Sequence, residues 1–267
     1  MTNPPGSFIW YELLTSDLDG ARRFYEAVVG LKIPAEPTPG DMDYRMIATP
    51  GGETVGGTMQ LSAEMTEGGA KPGWCGYVGV DDVDATVASI AGAGGQIQMP
   101  PADIPQAGRI AMVADPQGAP FYVMRPTPPP GADDMESCVF HPQKLGHVSW
   151  NELHARDQRS AWGFYADQLG WEKSVAMDMG EMGTYQIFKV GGTDQDVGAM
   201  MNSPNFPRPM WLFYFNVPDI DEALEATKAN GGSVLYGPGI VPGGNFIVQA
   251  TDPQGALFAV VGPRKGN

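Results

Sequence analysis

The chain repeats its own sequence, and this duplication constrains the fold more than any other feature. The sequence has 267 residues. A set of positions near its start recurs 140 residues later with the same residue types. The set is Trp10, Glu12, Leu13, Asp17, Ala21, Phe24, Tyr25 and Gly30, and its mates are Trp150, Glu152, Leu153, Asp157, Ala161, Phe164, Tyr165 and Gly170. Self-similarity held at one offset over so many positions indicates an internal repeat.

A second set of positions extends the repeat over the rest of each half, at an offset of 137. The run Asp-Pro-Gln-Gly-Ala at 115–119 returns at 252–256. The other members are Trp74, Tyr77, Val80, Asp82, Asp84, Gly94 and Gly95, with mates Trp211, Tyr214, Val217, Asp219, Asp221, Gly231 and Gly232. A proline-rich stretch at 126–134 separates the halves and is typical of a linker.

Within each half, the pattern predicts a strand, a helix and then two or three short strands, twice over. In the first half, residues 8–14 form an apolar run typical of a strand, and Ser16 or Asp17 can cap the helix that follows. Apolar residues at spacings of three and four give that helix one buried face, and Gly30 ends it. Helices on one face of largely antiparallel strands indicate an α+β fold.

Composition excludes several classes of function. Sixteen basic against 31 acidic residues give a net charge of −15. Such a chain repels nucleic acid and anionic lipid, so we expect neither as a partner. No apolar run is long enough for a membrane span, and no signal peptide is visible at the start. The two cysteines do not form a disulfide framework, so we expect a cytoplasmic location.

The first strand, the Ser-Asp-Leu-Asp-Gly-Ala-Arg-Arg-Phe-Tyr helix start and the late Asp-Pro-Gln-Gly turn resemble the vicinal oxygen chelate superfamily. This is the group of glyoxalase I, extradiol dioxygenases and bleomycin-resistance proteins. The doubled Trp-x-Glu-Leu start is most similar to its two-domain subgroup of the mycobacterial CFP-30B type, whose members carry hydroxylase or glyoxalase labels. The resemblance implies four βαβββ modules forming two open eight-stranded cups. It implies glyoxalase-like domains at 1–126 and 144–267, with a linker at 127–143.

The resemblance also implies where a divalent metal would be bound. In that superfamily, its ligands come from the first strand of each module and from a glutamate on the last strand. The corresponding positions here hold Trp10, Cys75, Trp150, Leu212, Tyr122 and Ala259. Indole and alkyl groups do not bind such metals, and a lone thiol does not hold one. We therefore expect no metal and no other cofactor. As an alternative, Glu152 and His154 could share Fe, Mn, Ni or Zn with a third ligand.

Strand alternation predicts which side chains face each cavity. Glu12 lies on the same face as Trp10, Glu152 on the same face as Trp150, and Tyr77 on the same face as Cys75. A carboxylate beside aromatic walls is partly desolvated, which suits a general base, and a tyrosine hydroxyl can polarise a carbonyl. We predict catalytic roles for Glu12, Glu152, Tyr77 and Tyr214, and ligand contacts for Trp10, Trp150, Tyr44, Tyr185, Tyr122 and Cys75. Alternatively, these side chains only build the fold, with each glutamate bonded to a neighbouring backbone group or tyrosine.

Two functions are consistent with these residues. The first is a small-molecule enzyme of the glyoxalase, dioxygenase or hydroxylase type, without the usual metal, acting on a carbonyl or aromatic compound. The second is a binding protein that sequesters such a ligand, as bleomycin-resistance proteins do. In both cases we expect a small-molecule ligand and a monomer or homodimer. Whether one cup or both are functional stays open.

Overall fold

A computed structural model describes residues 3–38, 43–128, 131, 136–204 and 206–265. Parts of the predicted linker, at 129–130 and 132–135, lie outside the described residues. The first half contains β1 (Phe8–Thr15), α1 (Leu18–Val28), β2 (Tyr44–Ala48), β3 (Thr54–Gln60), α2 (Ala63–Glu67), β4 (Gly73–Gly79), α3 (Val83–Gly92), β5 (Gln96–Ile104), β6 (Gly108–Ala114) and β7 (Pro120–Pro126).

The second half has a similar order of elements, but among the described residues it adds a strand and a 3₁₀ turn after its first helix and shows no counterpart of α2. It contains β8 (Val148–Ala155), α4 (Gln158–Leu169), β9 (Trp171–Asp178), a 3₁₀ turn (Gly180–Met182), β10 (Thr184–Val190), β11 (Asp196–Asn202), β12 (Met210–Asn216), α5 (Ile220–Ala229), β13 (Ser233–Ile240), β14 (Phe246–Thr251) and β15 (Leu257–Gly262). No helix in the described part of the chain is long and apolar enough to cross a bilayer.

Each half contributes one open, mixed sheet. The strand order is β2-β3-β1-β4-β7-β6-β5 in the first half and β13-β14-β15-β12-β8-β11-β10-β9 in the second. Antiparallel hairpins such as β6–β7 join to the first strand of each module through parallel pairs such as β1–β3 and β4–β7. The predicted fold of tandem α+β modules in two open sheets is therefore confirmed.

The first sheet has seven strands among the described residues, where we expected eight. The counterpart of β9 in the first half is the segment 31–38, which forms only an isolated bridge between Lys32 and Ala48. That segment contains Pro34 and Pro37. Proline has no backbone N–H to donate to a sheet ladder, so this segment does not pair as a strand.

Helix α1 illustrates how the sequence pattern places the elements. Asp17 caps its start, with the carboxylate accepting the Gly20 backbone N–H at 2.9 Å. The predicted apolar face is buried, and the helix ends at Val28, just before Gly30 with its φ of +79°. A positive φ of this kind favours glycine, which explains the residue at the stop position.

By contacts, the chain divides into two compact units, and each unit draws on both repeats. Unit 1 comprises Met1–Trp10, Cys75–Cys138 and Trp150–Trp211. Unit 2 comprises Tyr11–Trp74, Val139–Ser149 and Leu212–Asn267. In unit 1, Tyr165 packs between Trp171 and Trp211, and in unit 2, Tyr25 packs against Trp74 and Phe258. The domain boundaries at 126 and 144 stay a prediction.

Candidate functional site

The two predicted catalytic glutamates lie at matching positions on the first strands of the repeats. Glu12 on β1 pairs in register with Gly57 of β3, and Glu152 on β8 pairs with Ala199 of β11. Both glutamates are buried, at 4% and 5% exposure. A buried carboxylate needs hydrogen-bond donors, because leaving it unpaired carries a large desolvation penalty. The hydrogen-bond partners of each glutamate therefore indicate which chemistry each repeat can support.

In unit 1, a hydrogen-bonded chain ends on Glu152. The indole Nε1–H of Trp150 donates to the Tyr185 hydroxyl oxygen at 2.7 Å, and that hydroxyl donates to Glu152 Oε2 at 2.6 Å. Burial, followed by the nearby Glu152 charge, raises the pKa of Tyr185 well above its ordinary value of 10. The tyrosine therefore keeps its proton and acts as a fixed donor to the carboxylate.

His154 lies on the other side of the same carboxylate. Its Nε2 is 2.9 Å from Glu152 Oε1, but the contact is too bent to be a hydrogen bond. Its Nδ1 is 2.7 Å from the Ser203 hydroxyl oxygen, and the Phe206 ring stacks on the imidazole at 3.9 Å and 16°. Unit 1 thus gathers four of the predicted residues, Trp150, Glu152, His154 and Tyr185, around one buried carboxylate.

The first repeat does not reproduce this arrangement. Leu14 occupies the position of His154, so an imidazole is missing from β1. Tyr44, the counterpart of Tyr185, lies with its ring over Gly57, where a Cβ atom would overlap the ring. The second repeat has Ala199 in register with Glu152, where the first has Gly57 in register with Glu12. The two copies have therefore diverged around their shared glutamate.

Three further predicted residues of unit 1 form an apolar cluster. Tyr77 on β4 and Tyr122 on β7 are paired in register, and their rings stack at 4.2 Å and 6°. Cys75 packs in the same cluster with Ile9 and Ile110, bordered by Trp10, Met99, Ile104, Met112 and Met124. This cluster suits an apolar ligand or a core. The catalytic role assigned to Tyr77 stays a prediction.

In unit 2, Tyr214 has a polar partner. The Gln249 side-chain amide donates to its hydroxyl oxygen at 2.7 Å. The neighbouring strand carries Ala259 in register with Tyr214, where the first repeat has Tyr122 in register with Tyr77. The tyrosine stack of the first repeat is therefore absent from the second, and the role predicted for Tyr214 as a donor to substrate stays untested.

Ser203, Phe206 and Gln249 are site residues that the sequence analysis missed. The first two lie in the turn after β11, whose start is held by the Ser203 N–H donating to the Ala155 carbonyl at 2.8 Å. No repeat partner of the same residue type marks any of the three, since Leu61 and Met112 occupy the positions matching Ser203 and Gln249. The comparison of the repeats identified the glutamates because they recur, and it could not identify these three residues because they do not recur.

The donor groups in the structure do not fit the metal that the fold implies. The positions expected to supply ligands carry indole, thiol, alkyl and phenol side chains, and Glu152 and His154 already contact Tyr185 and Ser203. Within the described ranges, no group of three or more His, Cys, Asp or Glu side chains could hold a metal ion. The third ligand that a Glu152–His154 metal site would need is not found there.

A protein-family model matches both halves of the chain. The model of the Glyoxalase/Bleomycin resistance protein/Dioxygenase superfamily matches residues 7–123 and 144–260. The chain belongs to this superfamily, as two tandem glyoxalase domains.

Among known proteins, the chain is similar to CFP32 of Mycobacterium bovis, which is provisionally named a glyoxylase. They are 33% identical over 255 residues, which is 95% of this chain and 94% of CFP32. The anthracycline biosynthesis protein DnrV of Streptomyces peucetius is 29% identical over 273 residues, covering 98% of this chain and 95% of DnrV. Both similarities extend over both repeats.

Solved structures show the same fold. The Mn(II)-bound glyoxalase from Novosphingobium aromaticivorans superposes with a TM-score of 0.63 at 17% identity, over 97% of this chain and 82% of that one. The 2,3-dioxygenase LapB from Pseudomonas sp. KL28 gives a TM-score of 0.62 at 14% identity, over 98% and 92%. At these identities, the likeness concerns the fold alone.

Proposed function

We propose that the chain is an enzyme that moves a proton on a small carbonyl or aromatic compound, with Glu152 as the general base. The observation that carries this proposal is the 2.6 Å hydrogen bond from the Tyr185 hydroxyl to the buried Glu152 carboxylate. A buried base whose orientation is fixed by neighbouring donors is the arrangement that general base catalysis requires.

The proposed chemistry uses only side chains of this site. Trp150 holds the Tyr185 hydroxyl, which in turn holds Oε2 of Glu152, so the carboxylate is oriented before a ligand arrives. Glu152 then accepts a proton from the carbon next to a carbonyl, which forms an enolate. Returning that proton from Glu152 to the enolate oxygen gives the enol isomer, so one proton leaves the substrate carbon and the same proton is added to the oxygen. Tyr185 keeps its own proton throughout, as the raised pKa of its hydroxyl requires.

Cofactor, substrate and location are part of the same proposal. We assign no step to a metal, because indole and alkyl groups stand where ligands would be needed. The name of DnrV as an anthracycline biosynthesis protein supports an aromatic ligand. Neither Cys75 nor Cys138 forms a disulfide, which is consistent with the cytoplasmic location that we propose.

The test is deuterium exchange in heavy water, because it reports proton abstraction without knowledge of the final product. A panel of small α-hydroxycarbonyl and aryl ketone compounds is followed by NMR with wild type, Glu152→Gln and Glu12→Gln. We expect Glu152→Gln to slow exchange by about 10²–10⁴-fold while binding persists. Glu12→Gln is the matched control and should keep most of the exchange. Equal exchange by wild type and Glu152→Gln would refute the assignment.

A second candidate function is binding without catalysis, and the apolar cluster of unit 1 favours it. The stacked Tyr77–Tyr122 pair and its thioether surroundings suit a flat aromatic ligand. If wild type exchanges no compound in the panel but binds an aromatic one, and Tyr122→Ala weakens that binding, the binding function replaces the enzymatic one. Ala259 occupies the matching position in the second repeat, so the substitution copies a residue that the fold already accepts.

A further inference from the structure

His154 is a buried histidine whose second nitrogen has no ordinary partner. The residue is 3% exposed. Within the part of the chain that the structure describes, Nε2 makes no hydrogen bond, although it lies 2.9 Å from Glu152 Oε1. Buried polar atoms are almost always satisfied, so an exception on an imidazole beside a carboxylate calls for a physical reason.

The contact distances favour a proton on Nε2 of His154. A bare nitrogen lone pair held 2.9 Å from a carboxylate oxygen would be repelled, since both atoms are electron-rich. The repulsion disappears when the proton is on Nε2, because the positive end of the N–H dipole then lies beside Oε1. In neutral imidazole, Nδ1 is then an acceptor, and the Ser203 hydroxyl can donate to it at 2.7 Å.

We propose that His154 is a positioning residue for Glu152, whose charged carboxylate it stabilises through the dipole of its Nε2–H and without a hydrogen bond. This inference rests on the proposed function of Glu152 as the base. Ser203 sets the tautomer, and Phe206 covers the ring so that water does not compete. Among the groups that contact Glu152, Tyr185 from β10 lies on Oε2 and His154 from β8 lies on Oε1.

The proposal predicts that the two repeats differ in function. The first repeat keeps the glutamate and the tyrosine but carries Leu14 in place of His154 and Leu61 in place of Ser203. Two alkyl side chains cannot supply the imidazole N–H or the hydroxyl that sets its tautomer. We therefore expect a base positioned in this way at Glu152 of the second repeat and not at Glu12 of the first.

The first test reads the tautomer directly and needs no substrate. The chain has three histidines, so ¹⁵N-histidine NMR resolves each ring, and His154→Gln identifies the His154 signals by their loss. At neutral pH we expect the proton on Nε2 of His154 and a hydrogen-bonded acceptor at Nδ1. Ser203→Ala should reduce the population with this tautomer. A wild-type His154 protonated only at Nδ1 would overturn the proposal.

The second test uses the exchange assay as a function of pH. In His154→Leu, which copies the first repeat, the acidic limb of the exchange rate should move to higher pH by about one unit with KM unchanged. His154→Gln restores an N–H donor and should bring the limb back towards wild type. A purely structural role would lower the rate at every pH without moving the limb, and that result would also overturn the proposal.

The matched control is His147→Leu, because His147 is also buried and contacts a carboxylate, Glu53, at 3.1 Å in unit 2. We expect the limb to stay in place in this variant. The two proposals fail in different ways. Loss of the Nε2–H tautomer overturns the role of His154 even if Glu152 is the base. Unchanged exchange in Glu152→Gln overturns the base even if the tautomer is as proposed.

Discussion

The Tyr25 hydroxyl lies 3.2 Å from Asp252 Oδ2, and it accepts the Trp74 indole N–H at 2.8 Å. The mirror arrangement joins Tyr165 to Asp115 at 3.2 Å, with Trp211 donating to Tyr165. In each case, the tyrosine comes from the first helix of one repeat and the aspartate from the Asp-Pro-Gln-Gly turn of the other. The duplicated motifs therefore bind the repeats to each other, and each bond lies within one compact unit.

Removing either tyrosine hydroxyl should destabilise the protein. In Tyr25→Phe, the buried Trp74 N–H loses its acceptor and Asp252 loses a donor, which costs about 1–3 kcal/mol in free energy of unfolding. Tyr165→Phe should behave alike. Urea unfolding measures both, with Tyr236→Phe as the control, because Tyr236 is 54% exposed. Variants as stable as the control would show that these bonds contribute nothing.

The same aspartates should give the stability a distinctive pH dependence. Burial raises the pKa of Asp115 and Asp252 above the ordinary value of 3.8. The backbone N–H groups and tyrosine hydroxyls that donate to these carboxylates lower the pKa, but the effect of burial is larger. Between 3.8 and the raised values, the folded protein binds more protons than the unfolded chain. The free energy of unfolding therefore falls as pH rises through this window.

The measurement is the difference in unfolding free energy between wild type and Asp115→Asn or Asp252→Asn, followed from about pH 3.5 to 7. We expect the advantage of wild type to shrink with rising pH. Carboxylates with lowered pKa, such as Asp84 beside Arg109, act in the opposite direction but are common to both proteins, so they cancel. A difference that grows with pH would contradict the burial argument.

Gly57 should not tolerate a side chain. A Cβ atom there would overlap the Tyr44 ring, so Gly57→Ala should lower stability by about 1–3 kcal/mol, as overpacking does. The second repeat already carries alanine in the equivalent register position, at Ala199. Thermal unfolding of Gly57→Ala, alone and with Tyr44→Ala, separates the causes. If the clash is the cause, Gly57→Ala should cost less stability in a protein that already carries Tyr44→Ala than it costs in wild type. Equal losses in the two backgrounds would refute the clash.

Much of the fold could be predicted from the duplication and from periodicity. The α1 face, the Asp17 cap and the first strand, predicted at 8–14 and found at Phe8–Thr15, lie within a residue of where the patterns predict them. The resemblance implies an eighth strand in the first sheet, but the described residues 31–38 form none, because Pro34 and Pro37 have no N–H to pair. The prolines were visible in the sequence, so this error was avoidable.

The site was harder to predict, because strand alternation assigns a face but no partners. It predicts that Glu152 shares a face with Trp150, and in the structure Tyr185 bonds to both side chains. It could not show that Tyr185, two strands away in the sheet, would reach Glu152, nor that Ser203 would contact His154. A repeated motif also does not show whether its residues contact each other within one repeat or between the two repeats. The bond between Tyr25 and Asp252 was therefore found only in the structure.

In the proposed reaction Glu152 acts without a metal, and elemental analysis of untagged protein is the measurement that tests this. Melting temperature and α-proton exchange are measured on the same sample before and after chelator treatment. We predict metal far below one ion per chain, an unchanged melting temperature and exchange that survives chelation. About one Fe, Mn, Ni or Zn per chain, with a melting temperature and exchange rate that fall on its removal, would contradict the account.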